Sequence, residues 1–246
     1  MTVYGICANE HEASVAVVRD GKILFASDAE RYSRKKNDAH LNAALLHDAR
    51  MFGEPDLIVW YEKPWLKRTR KLWAGQYSHA FKSDGGSYLR RFGLNAPVKY
   101  VSHHESHAAG GFFTSPFDDA AILVVDAIGE WDTISAWYGG GTHLKKLWSQ
   151  RYPHSLGLLY SAFTQRVGLK PNEEEYILMG MAAYGRPLYR NAIREGFIAN
   201  RRAPWLELRK NIHRGIRWWR PELIDRENIA ASIQLLTEQI IIGLVK

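Results

Sequence analysis

Residues 121–138 read Ala121-Ile-Leu-Val-Val-Asp-Ala-Ile-Gly-Glu-Trp-Asp-Thr-Ile-Ser-Ala-Trp-Tyr138, and their reading decides the fold class. Ala121–Val125 is an apolar run of strand length, Ile128-Gly-Glu130 can turn, and Thr133–Tyr138 returns as a second strand closed by Gly139-Gly-Gly141. Leu144–Trp148 supplies a third. Short apolar runs bounded by turn residues mark strands rather than helices. The start of the chain has the same form. Val3–Ala8 and Ser14–Val18 are followed by the hairpin signal Arg19-Asp-Gly-Lys22 and by Ile23–Ala26.

Outward from these runs, the period lengthens. Leu41, Ala44, Leu45, Ala49 and Phe52 have helical spacing over His40–Phe52, and Gly53-Glu-Pro55 ends that helix before a strand at Leu57–Tyr61. Residues 63–95 are basic and aromatic-rich and read as helical, with a loop near Asp84-Gly-Gly86. A strand at Val98–Val101 precedes a helix that starts near His104. In the second half, helices are expected at Ser155–Val167, Glu173–Ala183 and Asn228–Leu244, the last with Ile229, Ile233, Leu236, Ile240 and Leu244 on one stripe. Three strands followed by helix and strand, met twice, fit either a duplicated α/β fold of two lobes around a cleft, divided as 1–117 and 118–246, or an ordinary α/β domain whose hairpins carry no further meaning. Backbone N–H groups of each first hairpin turn would face that cleft, where they can hold a phosphate.

The chain has 246 residues, 46% hydrophobic and 24% charged, the proportions of an ordinary globular protein. The single cysteine, Cys7, excludes an internal disulfide and favours a reducing compartment. No run approaches the roughly 18 apolar residues of a membrane span. The N-terminus lacks a basic-then-apolar signal, so a cytoplasmic location and no membrane partner are expected. The net charge is +7 and is not spread evenly. Residues 186–226 hold eleven Lys/Arg and four acids and so account for all of it, with Trp205, Trp218 and Trp219 interleaved. That mixture is either a solvated face or a surface for an anionic partner, nucleic acid included.

The chemistry lies between residues 101 and 133. In His103-His-Glu-Ser-His107, two imidazoles stand four residues apart, on one face if a helix starts there. This is not the His-Glu-x-x-His pattern of zinc proteases. Asp126 follows at the C-terminal end of an apolar strand, a position that faces clefts in α/β folds. Two imidazoles and a carboxylate suit Fe(II), with Zn(II) or Mn(II) as alternatives; an isolated His-x-x-x-His pair is more often structural.

Several blocks, in order, carry a resemblance. They are Val101-Ser-His-His-Glu-Ser-His-Ala-Ala109, Phe112-Phe-Thr-Ser-Pro-Phe117 and Ala120-Ala-Ile-Leu-Val-Val-Asp-Ala-Ile-Gly-Glu-Trp-Asp-Thr133. Others are Gly5-Ile-Cys-Ala-Asn-Glu-His-Glu-Ala-Ser14, Ala29-Glu-Arg-Tyr-Ser-Arg-Lys-Lys36, Ser155-Leu-Gly-Leu-Leu-Tyr160, Lys170-Pro-Asn-Glu173, Met179-Gly-Met-Ala-Ala-Tyr-Gly185 and Ile229-Ala-Ala-Ser-Ile-Gln234. Together they resemble the O-carbamoyltransferases of the NodU/CmcH family.

The resemblance implies a duplicated actin/hexokinase-like N-terminal domain, similar to the threonylcarbamoyltransferases that act on tRNA. It implies that carbamoyl phosphate and ATP form carbamoyl-adenylate in a C-terminal YrdC-like domain, in the same or another chain. The N-terminal domain then passes the carbamoyl group to a small-molecule hydroxyl acceptor, releasing AMP. On this resemblance His103, His107 and Asp126 are metal ligands and His11 is the transfer residue. The chemistry of the turn adds that Gly129 and Glu130 could cradle the phosphate or carbamoyl group through backbone N–H groups, and that Lys36 or Arg34 could offset its charge or simply form a solvated basic turn. Two positions depart from the pattern: Ala127 stands where the family has Gly after the Asp, and Glu174 where Gly is common. The match stops at Lys246, ahead of the family's glycine-rich loop and a further Asp ligand, so an incomplete second lobe is expected, from a fragment or a split enzyme inactive without its C-terminal part.

Overall fold

The computed structural model describes residues 1–9, 12–77, 85–200 and 205–246. They form a mixed α/β protein with two compact units, Met1–Ser106 and His107–Lys246. The division falls inside a helix, whereas the sequence reading set it at 117/118, in the loop after that helix.

The first unit is built on a five-stranded sheet. Its strands are β1 (Thr2–Cys7), β2 (Ser14–Arg19), β3 (Lys22–Asp28), β4 (Leu57–Trp60) and β5 (Val98–Tyr100), in the order β3-β2-β1-β4-β5. β1, β2 and β3 form an antiparallel meander; β4 and β5 add in parallel. The Asp20-Gly21 turn between β2 and β3 has both residues at positive φ, which is the hairpin geometry that Asp-Gly favours. Alternate residues of β1 and β2 turn inward, and Tyr4, Ile6, Val15 and Val17 meet Leu45, Leu46, Ile58 and Trp60 in one core. The Tyr4 hydroxyl donates to the Gly53 carbonyl at 2.7 Å, so the ring is buried without stranding its polar end.

Helix α1 (Ala29–Ser33) was not anticipated, and α2 (Ala43–Arg50) starts later than the apolar spacing indicated. Asn42 sets that start: its side chain accepts from the Leu45 N–H at 2.9 Å. α3 (Pro64–Trp73) opens on a proline at its first turn. α4 (Gly85–Arg90) takes in Gly85 and Gly86, which the sequence reading had placed in a loop; Asp84 lies outside the described residues. Gly85 is needed for closeness rather than turning, because a Cβ there would stand 2.7 Å from the Trp60 ring.

The second unit carries α5 (His103–Phe113), which spans the division, and a three-stranded antiparallel sheet of β6 (Asp119–Gly129), β7 (Asp132–Gly140) and β8 (His143–Arg151). Gly139 and Gly140 belong to β7 and do not turn it; Gly139 lies under the Phe112 ring, where a Cβ would come within 2.7 Å. Four more helices follow, α6 (Leu156–Arg166), α7 (Glu175–Met181), α8 (Arg190–Phe197) and α9 (Arg226–Val245), with a 3₁₀ turn at Ala182–Tyr184 and a small ribbon of β9 (Ile198–Asn200) and β10 (Glu207–Leu208).

The second core joins Leu156, Leu159 and Phe163 of α6 to Ile193 and Phe197 of α8 and to Ile229, Ile233 and Leu236 of α9. α9 is long and apolar enough to cross a membrane by length and composition, although it contains no unbroken apolar run of that length. Its stripe from Ile229 to Ile240 is buried in this core, with Leu244 packed at its edge, as a core helix requires. The basic segment is also part of this core. Leu206, Leu208, Ile212 and Ile216 are buried, and Trp219 packs against Phe163 and Phe197 at centroid distances of 5.5 and 5.1 Å. Arg166 fastens the segment by donating to the carbonyls of Trp219, Arg220 and Leu223.

Candidate metal centre

Helix α5 begins at His103 because Ser102 and Glu105 close its first turn: the Ser102 hydroxyl donates to Glu105 Oε2 at 3.1 Å. A Ser three residues ahead of a Glu marks a helix start in sequence, and it places His103 in the first turn. One turn separates His103 from His107, so both imidazoles project from one face. His103 is buried and meets the Tyr61 ring edge-on at 5.6 Å, while His107 is exposed. Further along, Ala108 packs with Val124 of β6 and Trp137 of β7, which seats the helix on the second sheet.

Asp126 owes its position to an irregularity in β6. The ladder with β7 is regular through Val125, opposite Ile134, and resumes only with Gly129 opposite Asp132. Residues 126–128 therefore leave the ladder, as bulged strands do beside active sites. The Asp126 carboxylate accepts from the Ala127 N–H at 2.6 Å. The N-cap of α6 and one residue of its first turn hold the bulge from behind. Ser155 caps α6 by accepting from the Leu158 N–H at 3.0 Å and donates to the Ala127 carbonyl at 2.7 Å, with the Asp126 carbonyl at 3.2 Å. Gly157 lies against the same backbone; a Cβ there would come within 2.7 Å of the Asp126 carbonyl and the Ala127 nitrogen.

One ligand atom from each of His103, His107 and Asp126 lies within 4.8 Å of the others. Donors bound to one cation at about 2.0–2.2 Å stand roughly 3–4.4 Å apart, so small side-chain adjustments would close the set on an ion. Two imidazoles and one carboxylate leave coordination positions open and match Fe(II), Zn(II) or Mn(II) better than Ca(II) or Mg(II), which prefer all-oxygen sites.

The other expected residues fall as follows. Gly129 and Glu130 are buried at the β6–β7 turn, where Glu130 takes a left-handed φ of 60°. A non-glycine residue in that region is uncommon and costs conformational energy. Arg34 and Lys36 are exposed on the segment after α1, with Arg34 as the left-handed cap of that helix. His11 lies outside the described residues. Ser155 and Gly157 were read only as part of a helix start; nothing in the local pattern says which backbone they hold.

Near the end of β1, burial pushes the Cys7 thiol up to about 12, with Glu62 adding to the rise and Lys67 opposing it. Glu62 and Lys67 themselves form a well-shielded ion pair, with Lys67 Nζ 2.9 and 2.8 Å from the two carboxylate oxygens.

Residues 71–246 match the family described as carbamoyltransferase N-terminus. Over 98% of its length the chain is 35% identical to the uncharacterized protein sll1178 of Synechocystis, covering 47% of that protein. Over 72% of its length it is 30% identical to nodulation protein NolNO of Sinorhizobium fredii, covering 28% of that protein. A PPX-GPPA enzyme from Aquifex aeolicus overlaps 76% of this chain and 65% of its own at 15% identity, with a TM-score of 0.32 that is too low to bear on the fold. The chain belongs to the NodU-type carbamoyltransferases and corresponds to their N-terminal domain. It spans less than half the length of either curated relative.

Proposed function

We propose that this chain is the acceptor-side part of an O-carbamoyltransferase. In this reading it moves a carbamoyl group from carbamoyl-adenylate to a hydroxyl on a small molecule. The adenylate is made from carbamoyl phosphate and ATP by a YrdC-like domain beyond this sequence or in another chain, and the reaction takes place in the cytoplasm. The observation that carries the reading is the convergence of His103, His107 and Asp126 in a chain of this family.

A carbamoyl carbonyl is a weak electrophile because its nitrogen donates into it, and a mixed anhydride with AMP supplies the leaving group. A divalent cation, when bound, supplies Lewis acidity to the carbonyl or phosphate oxygen. His103 and His107 would hold such a cation through their ring nitrogens, and Asp126 through a carboxylate steadied by the Ala127 N–H. His11 takes the proton from the attacking hydroxyl. The Gly129–Glu130 turn offers backbone N–H groups to the phosphate, and Arg34 or Lys36 offsets its charge. The two antiparallel meanders that open the two units support a duplicated actin/hexokinase-like plan.

Metal analysis of the purified chain tests this. One equivalent of iron, zinc or manganese is expected in the parent, with near-complete loss in His103→Ala, His107→Ala and Asp126→Asn. Equal metal content in parent and variants removes the centre. A second reading is that the chain binds an anionic polymer through its basic segment. It is favoured by the exposed Trp218, whose ring has the Arg217 guanidinium 5.4 Å from its centroid. Retention on RNA or DNA that falls steeply with salt supports it, and retention unchanged by Arg217→Ala and Trp218→Ala excludes it.

A further inference from the structure

The helical repeat fixes where His107 stands relative to His103, but not the direction in which the pair faces. A helix can turn about its own axis without losing any of its internal hydrogen bonds, so something outside α5 must set that direction. Within the first unit the contact comes from Tyr61, the residue just past the end of β4. The Tyr61 N–H donates to the Ile6 carbonyl at 3.3 Å, which ties this residue to β1. Its carbonyl lies beyond the last pair of the β4–β5 ladder and accepts from Ser106 Oγ at 2.8 Å. A helical serine usually turns back to the carbonyl four residues earlier. Here that carbonyl, of Ser102, is 3.3 Å away, and the contact to Tyr61 is the shorter one.

The Tyr61 ring makes a second contact with the same helix. It meets the buried His103 imidazole at a centroid distance of 5.6 Å and an interplanar angle of 63°. A buried ring adopts the rotamer its neighbours leave open, so this contact limits the planes available to His103. The Tyr61 ring is restrained in turn. Lys67 Nζ lies 6.0 Å from its centroid and is gripped by both oxygens of Glu62, at 2.9 and 2.8 Å. Glu62 is itself buried. A buried ion pair is weak evidence for stability, because desolvation of both charges offsets their attraction. A role in holding one arrangement accounts for this pair better.

We propose that Tyr61 is a positioning residue for the metal centre. Its carbonyl, through Ser106, sets the rotation of the first turns of α5, and its ring, steadied by the Glu62–Lys67 pair, sets the plane of the His103 imidazole. The inference rests on the reading of His103, His107 and Asp126 as a metal site and adds the groups that aim one of the imidazoles. Groups that orient a ligating imidazole typically change metal affinity 10–100-fold when removed.

Titration of the chain with cobalt(II) tests this, reading both the dissociation constant and the visible bands of the bound ion, which report its coordination geometry. Ser106→Ala and Tyr61→Leu should each weaken cobalt binding at least about tenfold and alter the bands. Ser106→Thr keeps the hydroxyl and Tyr61→Phe keeps the ring, so both should stay within about twofold of the parent. A merely structural role would lower the denaturation midpoint and leave affinity and bands as they are in the parent. Parental affinity and bands in one of the two disruptive variants strikes that contact from the device, and in both it overturns the inference. A loss in Tyr61→Phe as large as in Tyr61→Leu overturns the role of the ring. Should Tyr61→Leu fail to fold, Ser106→Ala against Ser106→Thr decides. A parent that binds no cobalt removes the metal centre and this inference with it, whereas a parent that binds it no better than the disruptive variants removes this inference alone.

Discussion

The first strands of the two units end in different ways. β1 stays in register with β2 to its last residue, Cys7 opposite Ser14, where burial raises the thiol's pKa. β6 breaks from β7 after Val125, and the released residues carry Asp126. A regular ladder keeps every side chain on the face its parity assigns, so it can close a core but cannot re-aim one group. A bulge re-aims a group at the expense of ladder hydrogen bonds, and some other element must then hold the freed backbone. Ser155 and Gly157 of α6 do that for Asp126. Among the described residues, the strand end that brings a carboxylate to the two imidazoles is the deformed one.

The widest gap between the two strand ends should appear at Cys7. With its thiol pushed up to about 12, from an ordinary value of 9.0, the thiolate fraction near pH 8 is about a thousandfold below that of an open cysteine. Native iodoacetamide labelling should be slower by about that factor and recover on unfolding. Fast labelling of the folded chain would mean that the β1 end is open. The sign for stability follows from the raised folded value. The contribution from Cys7 is fully present below about pH 9 and is lost as pH rises towards 12. Denaturation midpoints of Cys7→Ser and the parent should therefore converge as the pH rises through that window.

Gly157→Ala tests the deformed end. A methyl group there meets backbone at 2.7 Å, not a flexible side chain, so a loss of about 3 kcal/mol is expected in chemical denaturation, together with loss of metal. A variant as stable as the parent would show that α6 does not clamp the bulge. Ser155→Ala removes both the helix cap and the bond to the Ala127 carbonyl, for a loss of about 1–2 kcal/mol. Gly180 in α7 is the control: nothing stands within 4 Å of its Cβ position, and Gly180→Ala should stabilise by about 0.5–1 kcal/mol. If Gly180→Ala instead destabilised as strongly as Gly157→Ala, the loss would belong to glycine replacement in general rather than to the bulge.

Much of this was legible in the chain, and the gaps have local causes. Both meanders, α6 and the stripe of α9 follow from periodicity, because burial on one face imposes a repeat that sequence carries directly. The beginning of α2 was misplaced because His40 and Leu41 fit the apolar spacing, while the Asn42 side chain decides where the helix starts. Gly139 looked like a turn residue and is a packing residue, since a missing Cβ serves both purposes and only the Phe112 ring above it tells them apart. α8 has no clear apolar period in sequence, because its eight residues carry only two large apolar side chains, Ile193 and Phe197, among charged neighbours, and both lie on its inner face. The three clustered residues His103, His107 and Asp126 were visible as types and spacings, but the bulge that brings the third to the other two was not.

The sequence alone settled what depends on neighbours along the chain: strand and helix periods, the pairing of His103 and His107 on one helical face, and family membership through ordered blocks. Tertiary structure alone decided what depends on residues distant in sequence. It put the Ser155 hydroxyl and the bare Cα of Gly157 behind a bulge almost thirty residues upstream, and it closed Gly215 over Gln165. The reason is physical. Local propensities are short-range sums that a few residues can encode, whereas a strand pushed out of its ladder persists only if another element supplies the hydrogen bonds and the space it gave up.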